Sequence, residues 1–107
     1  WNARVTVEPE AVGHPFRAVP AGQSDPVHEL LSESLAQAYG ADQVAEIGSG
    51  GSIPLCTALR NAHPDASIAL FGVEDPAAAI HSPDESVDPR EIERIALAEA
   101  AFLQRYR

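Results

Sequence analysis

The sequence predicts an α/β fold in which a parallel or mixed sheet is flanked by helices. Two observations support this prediction. From Asp25 onward, apolar positions at helical spacing alternate with short continuous apolar runs, in the order helix, strand, helix, strand, helix. In addition, Asp-Pro pairs at residues 25–26 and 88–89 are placed to begin two of the helices. A chain of 107 residues that is 45% hydrophobic can bury one modest core, so we expect no second one.

The N-terminal quarter predicts a strand followed by a connector. Apolar and polar residues alternate over residues 2–8, a period of two that is typical of a half-buried strand. Residues 9–25 are rich in proline and glycine, which favours an extended connector. We therefore place a domain boundary near Gly13, which separates residues 1–12 from residues 13–107.

A first helix is predicted between Asp25 and Gly40. Asp25 is suited to accept hydrogen bonds from the free amides of the first turn, and Pro26 fits the first helical position. Gly40 fits a C-terminal stop. The apolar stripe of this helix consists of Val27, Leu30, Leu31, Leu35 and Ala38. A short buried strand is expected next, at residues 44–47.

Two further helices and one strand complete the prediction. Ser52 is expected to cap the second helix, which ends before Pro64. The apolar run at residues 67–73 is typical of a strand buried on both faces. Asp88 begins the last helix, which continues to about Tyr106. The predicted inner faces are Leu55, Cys56, Leu59 and Ala62 in the second helix, and Ile92, Ile95, Ala96, Phe102 and Leu103 in the last.

Composition and charge restrict the partners of the protein. Its 7 basic residues are all arginine, and 16 acidic residues give a net charge of -9. Nucleic acid and anionic membranes attract basic surfaces, so we expect neither as a partner. The single cysteine, Cys56, excludes an internal disulfide, which favours a cytoplasmic location. Because the sequence begins at Trp1 and lacks methionine, we also expect a piece of a longer chain.

A glycine-rich segment at residues 48–52, GSGGS, lies between the second predicted strand and the second helix. Free amides and the positive end of a helix favour an anion there, such as a carboxylate, a phosphate or the oxyanion of an intermediate. The spacing matches neither the phosphate loop, which needs a lysine, nor the dinucleotide pattern. Two interpretations therefore stay open, a ligand-binding loop and a tight turn without a ligand.

The predicted loop at residues 73–89, of about 15 residues, is long enough to be functional. It contains His81, followed by Asp84 and Glu85, and histidine beside carboxylates suits a metal site or a general base. The alternative is a surface histidine. No other histidine has a metal-ligand spacing to His81, so a metal site would take its remaining ligands from outside these residues. Because both loops follow predicted strands, we expect them to face one crevice.

Several motifs together resemble a known family. GGSIP at residues 50–54, GVEDP at residues 72–76, HSPDES at residues 81–86 and the final helix LAEAAFLQRY are similar to the C-terminal part of the two-zinc amidohydrolases. These include carnosinase-type dipeptidases, aminoacylase and carboxypeptidase G. The resemblance implies that residues 1–12 are the last strand and exit of a lid, or dimerisation, domain. Residues 13–107 would be the C-terminal segment of the catalytic domain of a zinc peptidase.

The resemblance also implies roles for individual residues. His81 matches a histidine that ligates one of two zinc ions. Gly51 and Ser52 match the loop that holds the carboxylate end of the substrate, and Gly50 allows its close approach. No catalytic residue falls in this segment, because the bridging aspartate, the general-base glutamate and the other zinc ligands lie earlier in the family's chains. Other divalent metals can replace zinc.

The chain departs from the family pattern in two places. The dipeptidase branch often has glutamate or arginine-glutamate before the glycines, where this chain has Gly48 and Ser49, and this leaves the substrate open. Asp84 replaces a frequent asparagine, which changes little.

The functional prediction is a fragment of a zinc-dependent metallopeptidase that hydrolyses a dipeptide or an N-acyl amino acid with metal-activated water. The fragment alone is expected to be inactive. Its expected partners are the small substrate, the rest of the same polypeptide and a second copy that dimerises through the lid domain. The alternative is a non-catalytic α/β module that binds an anionic ligand at residues 48–52. A third interpretation is structural, a separate chain that reassociates with the rest of an enzyme.

Overall fold

The computed structural model describes residues 2–10, 13–19, 24–48 and 53–107. These residues form three helices, α1 (Pro26–Tyr39), α2 (Pro54–Ala62) and α3 (Pro89–Arg105). No strand occurs within these four ranges. The prediction of an α/β fold with a parallel or mixed sheet is therefore wrong, whereas the three predicted helices are present.

The predicted strands fail because none has a hydrogen-bonded neighbour. A strand requires a second strand to pair with its amides and carbonyls, and apolar periodicity does not supply one. Within the described ranges, backbone hydrogen bonds outside the helices join residues no further apart than Ser86 and Ala78. The side chains of two of these segments are also not buried as predicted, since Val5 and Val7 are each 83% exposed and Ile47 is 85% exposed.

Helices α1 and α3 begin as the sequence predicts. The Asp25 carboxylate accepts a hydrogen bond from the Val27 amide at 2.9 Å, and Asp88 accepts one from the Arg90 amide at 2.9 Å. The Arg90 side chain also binds Asp88, and these bonds lower the pKa of that carboxyl to about 2. Gly40 ends α1 with a φ of 63°, a left-handed conformation that glycine adopts without steric cost.

Helices α1 and α3 pack against each other in antiparallel orientation. The Tyr39 hydroxyl near the end of α1 donates to Glu91 near the start of α3 at 2.7 Å. At the opposite end of α3, Arg105 donates to Glu33 at 2.5 Å. Ser34 on α1 and Ala98 on α3 are both 0% exposed. Small side chains therefore occupy the most buried positions of the two helices, which favours close helix packing.

The buried face of α3 differs from the predicted one. Ile92 is 51% exposed and Leu103 is 67% exposed, although both were predicted to face inward. The face towards α1 instead combines apolar and charged residues, namely Glu91, Arg94, Ile95, Ala98 and Phe102. The difference arises because Glu91 and Arg94 interact with Tyr39, and an apolar stripe alone cannot reveal such polar contacts.

Helix α2 lies apart from the other two. Within the described ranges it packs against neither α1 nor α3. Its N-cap is Ile53, which provides no side-chain hydrogen bond, and the predicted cap Ser52 lies outside the described residues. Cys56 is buried as predicted, but Leu55 is 65% exposed and Leu59 is 44% exposed. The predicted inner face of α2 is thus only partly covered.

The molecule exposes more surface than a compact protein of its mass. Its accessible surface is 9076 Å², whereas a compact monomer of 11.3 kDa exposes about 5,700 Å². Its radius of gyration is 17.7 Å, compared with about 13 Å for a compact domain of this length. Of the apolar side chains that the structure describes, those buried are Leu31, Cys56, Ala78 and Ala98. None of the three helices is both long and apolar enough to cross a membrane.

Candidate functional site

His81 lies in a loop whose backbone is fixed by a series of turns. The Asp75 carboxylate accepts a hydrogen bond from the Ala77 amide at 2.7 Å, and the Ala78 amide donates to the Asp75 carbonyl at 3.0 Å. The Ser86 amide donates to the Ala78 carbonyl at 2.9 Å and closes the loop. Ala78 is only 4% exposed and is thus the buried residue of the loop, whereas residues 79–85 are exposed to solvent.

His81 occupies a backbone conformation that is unusual for a residue with a side chain. Its φ is 62°, and the Ser82 amide donates to the Ala79 carbonyl at 3.1 Å. A positive φ at this place is the feature of a type II turn, which normally prefers glycine. Ala79 also has a positive φ, of 51°. Such conformations cost about 1–2 kcal/mol per residue, so the loop keeps two strained positions around the histidine.

The His81 imidazole is exposed, and in the part of the chain that the structure describes it has no hydrogen-bond partner. The nearby Glu85 carboxylate accepts instead from the His81 backbone amide, at 3.2 Å. Glu85 therefore stabilises the turn, and the ring is accessible to a group from outside the loop. The sequence predicted a carboxylate beside His81 but not that this carboxylate would bind the main chain.

Replacing Ala79 with glycine should stabilise the protein by about 0.5–1 kcal/mol, because glycine adopts the positive φ without strain. Urea unfolding followed by helical circular dichroism measures this gain. Ala77→Gly is the matched control, since Ala77 lies in the same loop, is exposed and has no positive φ. It should lose about 0.4–1 kcal/mol through greater freedom of the unfolded chain. Equal losses from both substitutions would show that Ala79 is not strained.

The other predicted site residues, Gly50, Gly51 and Ser52, lie outside the described residues. The expected crevice between their loop and His81 therefore stays a prediction. Helix α2 begins at Pro54, two residues after Ser52 in the sequence.

The described residues do not form a metal site by themselves. They contain no group of three or more histidine, cysteine, aspartate or glutamate side chains placed to hold an ion. A zinc site in a protein has three or four such ligands. One exposed imidazole at His81 fits the role of a single ligand in a site completed by other residues. It does not fit a site confined to the described segments.

A second place with clustered polar groups is an open groove of about 570 Å³ beside the first half of α1. Four carboxylates line it, those of Asp25, Glu29, Glu33 and Glu46, together with the His28 ring. Two of these groups, Asp25 and His28, form hydrogen bonds to other residues of the chain. The Ser67 hydroxyl donates to Asp25 at 2.5 Å, and this bond lowers the pKa of the Asp25 carboxyl. His28 Nε2 lies 2.9 Å from the Ile68 carbonyl oxygen.

The polar contacts between α1 and α3 are also structural. Glu91 accepts one hydrogen bond from the Tyr39 hydroxyl and another from the Arg94 guanidinium, the second at 2.9 Å. The Arg94 guanidinium also lies 5.3 Å from the centre of the Tyr39 ring, which is the distance of a cation–π contact. Desolvation, together with the hydrogen bond to Glu91, raises the pKa of Tyr39. This cluster was not predicted from the sequence, since Tyr39 lies 52 residues before Glu91 and only Glu91 and Arg94 have the spacing of a pair within one helix.

Comparisons with known proteins bear on the site only at the level of sequence. No protein-family model matches this chain. No solved structure matches it. The chain is similar to a cysteinylglycine-S-conjugate dipeptidase from Corynebacterium striatum, with 49% identity over 106 residues. The alignment covers 99% of this chain and 23% of the dipeptidase, so the chain spans about a quarter of that relative's length. Over nearly all of its length, the chain is therefore related to a dipeptidase.

Proposed function

We propose that the chain is a segment of a dipeptidase that hydrolyses the peptide bond of a small dipeptide-like substrate. The observation that carries this proposal is the 49% identity to a dipeptidase, which extends over 99% of the chain. Because that relative is a cysteinylglycine-S-conjugate dipeptidase, cysteinylglycine S-conjugates are the first substrates to test. N-acyl amino acids, which the sequence motifs also favour, are a second substrate class within the same proposal.

In this proposal His81 provides one ligand to zinc or another divalent metal. Three features of the loop support the role. The ring is exposed, the backbone around it is fixed by hydrogen bonds, and Glu85 binds the main chain and not the ring. The further ligands of the two zinc ions and the general base belong to parts of the dipeptidase outside this chain. A bound zinc ion would supply a water of lowered pKa for hydrolysis.

The proposed substrate-binding residues are Gly50, Gly51 and Ser52, which would hold the carboxylate end of the dipeptide. The support comes from α2, which begins two residues after Ser52. Pro54 has no N–H and the Cys56 amide already donates to the Ile53 carbonyl at 2.9 Å, so the amides of Ile53 and Leu55 are those that could bind an anion, and the helix dipole favours a negative charge at this end. The N-cap Ile53 does not use its side chain to satisfy these amides. A substrate carboxylate is one group that can do so.

The rest of the dipeptidase polypeptide is the proposed partner of this segment. The support is the large exposed surface, which includes apolar side chains on two helices such as Leu55, Leu97 and Leu103. Soluble monomers rarely leave large contiguous apolar surfaces uncovered. The proposal includes the lid domain with residues 1–12 at its exit and a dimer formed through that domain.

A chimera tests the proposed function. In the chimera, this chain replaces the matching segment of the Corynebacterium striatum dipeptidase. We expect the chimera to hydrolyse cysteinylglycine S-conjugates. We expect the 107-residue chain alone to hydrolyse none, since its described residues hold no group of three metal ligands and the proposal assigns the general base to another part of the dipeptidase. The dipeptidase with the segment deleted is the control for inactivity. A folded chimera that binds metal but has no peptidase activity would contradict the proposal.

A further inference from the structure

Arg60, near the end of α2, makes four hydrogen bonds to backbone carbonyls. Nη1 donates to the carbonyls of Pro64 at 2.9 Å and Ala66 at 2.6 Å. Nη2 donates to the carbonyls of Arg17 at 3.0 Å and Ala18 at 2.6 Å. Each terminal nitrogen of a guanidinium carries two hydrogens, so the four bonds use every terminal donor. The planar guanidinium thereby joins residues 17–18 to residues 64–66, which lie at least 46 positions later in the chain.

The acceptors are all main-chain oxygens. Arg60 is absent from the ion pairs that the structure describes, which involve Arg90, Arg94 and Arg105. Its charge is therefore stabilised by carbonyl dipoles. A lysine ammonium has three donors on a compact charge and cannot reproduce the planar fork that reaches both segments. Because backbone carbonyls are present in any sequence, the pattern of residues 13–19 gave no sign of this contact.

A second contact joins the same two parts of the chain. The Thr57 hydroxyl donates to the His14 carbonyl at 3.3 Å. Thr57 and Arg60 are three residues apart on α2, so they lie on one face of the helix. Residues 13–19 thus lie along this face, where the carbonyls of His14, Arg17 and Ala18 hold them. They are the middle part of the connector predicted at residues 9–25, and from here on the word connector means residues 13–19 alone.

The position of Arg60 matters because α2 packs against neither of the other helices in the described ranges. Residues 64 and 66, which Arg60 holds, are followed directly by Ser67 and Ile68. These two bind Asp25 and His28 on the α1 side, at 2.5 Å and 2.9 Å. The connector is therefore linked to α1 through the hydrogen bonds of Arg60, the backbone of residues 64–68, and the hydrogen bonds of Ser67 and Ile68.

We propose that Arg60 is a positioning residue that fastens the connector to α2 and links both to the beginning of α1. The four-carbonyl contact, which we call the Arg60 clasp, fixes the position of residues 17–18 relative to α2 and residues 64–66. This inference depends on the hydrogen bonds of this chain alone, and it stands whether or not the proposed function is correct.

Trypsin cleavage tests the Arg60 clasp, because one of the held carbonyls belongs to the Arg17–Ala18 peptide bond. A protease can cut this bond only after the connector leaves α2. The Arg4–Val5 bond lies in an exposed segment and serves as the internal reference. Initial rates at the two bonds are measured by mass spectrometry and divided by the rates for synthetic peptides covering residues 2–10 and 13–19. In the native chain, the corrected cleavage rate after Arg17 should be at least about tenfold lower than the corrected rate after Arg4. A tenfold difference corresponds to the free energy of about one hydrogen bond with a charged group.

Arg60→Lys and Arg60→Gln should each raise the cleavage of Arg17 relative to Arg4 by about tenfold. Arg90→Lys is the matched control, because it makes the same change at an exposed arginine that pairs with Asp88, and it should leave the ratio unchanged. In about 0.5 M salt the native ratio should also persist, since the clasp contains no ion pair that ions could screen. Circular dichroism checks that the helices remain.

Two results would overturn the inference. The first is equal corrected cleavage of Arg4 and Arg17 in the native chain, which needs no variant and so does not depend on how the variants fold. The second is an unchanged ratio in Arg60→Lys with the helices intact.

Discussion

In the dipeptidase chimera, replacing His81 with alanine should remove one equivalent of bound metal and lower peptidase activity by about 100-fold or more. Mutating a residue that only supports a metal ligand costs 10–100-fold, and loss of the ligand itself should cost at least as much. Metal content by atomic emission and initial rates with a cysteinylglycine S-conjugate measure the two effects together.

His63→Ala is the matched control for this prediction. His63 is exposed and caps the end of α2, where its backbone amide donates to the Leu59 carbonyl. Since alanine keeps that amide, the control should retain both metal and activity. If His81→Ala also kept its full metal content and activity, His81 would have no role as a ligand.

Replacing Ala98 with leucine should destabilise the protein by about 1–3 kcal/mol. Ala98 is 0% exposed on the face of α3 that packs against α1, and three additional heavy atoms must displace the neighbouring side chains or backbone. Urea or thermal unfolding followed by circular dichroism measures the change. For a domain of this size, the loss should lower the melting temperature by about 4–8 °C for each kcal/mol.

Ala96→Leu is the matched control for the packing prediction. Ala96 belongs to the inner face that the sequence predicted, yet it is exposed in the structure. Its substitution should change the free energy of unfolding by no more than about 0.5 kcal/mol. If Ala96→Leu proved the more damaging of the two, α3 would be rotated relative to the packing described above.

The helices were predictable because their signals are local. Asp25, Pro26 and Gly40 define the ends of α1 through contacts within one or two turns, and Asp88 does the same for α3. The apolar stripe of α1 was also informative, since Leu31 is buried as predicted. Ser34 was missed because a serine hydroxyl does not count in an apolar pattern. Here its hydroxyl donates to the Leu30 carbonyl at 2.8 Å, which makes burial acceptable.

The sheet and the face of α3 were not predictable in the same way. A period of two at residues 2–8 indicates which side chains share a face, but a strand also depends on a partner that the described residues do not provide. The face of α3 depends on Tyr39, which is 52 residues from Glu91 in sequence. No pattern within one helix contains that information.

The place of His81 in a loop was predictable from the sequence, whereas the geometry of that loop was not. The residues at 81–86 identified the His81 loop, and its length suggested a function. The positive φ values of Ala79 and His81 carried no such signal, since glycine and asparagine are the usual markers of that conformation. The contacts of Arg60 were likewise not predictable, because its acceptors are main-chain carbonyls and every residue has one.

Anomalous diffraction at the zinc edge from crystals of the chimera can show whether this chain gives one imidazole to a metal site completed elsewhere in a dipeptidase. We expect a metal peak about 2.1 Å from a ring nitrogen of His81, with the remaining ligands supplied by residues of the dipeptidase outside this chain. Metal peaks that all lie beyond bonding distance of the His81 ring in an active chimera would contradict it.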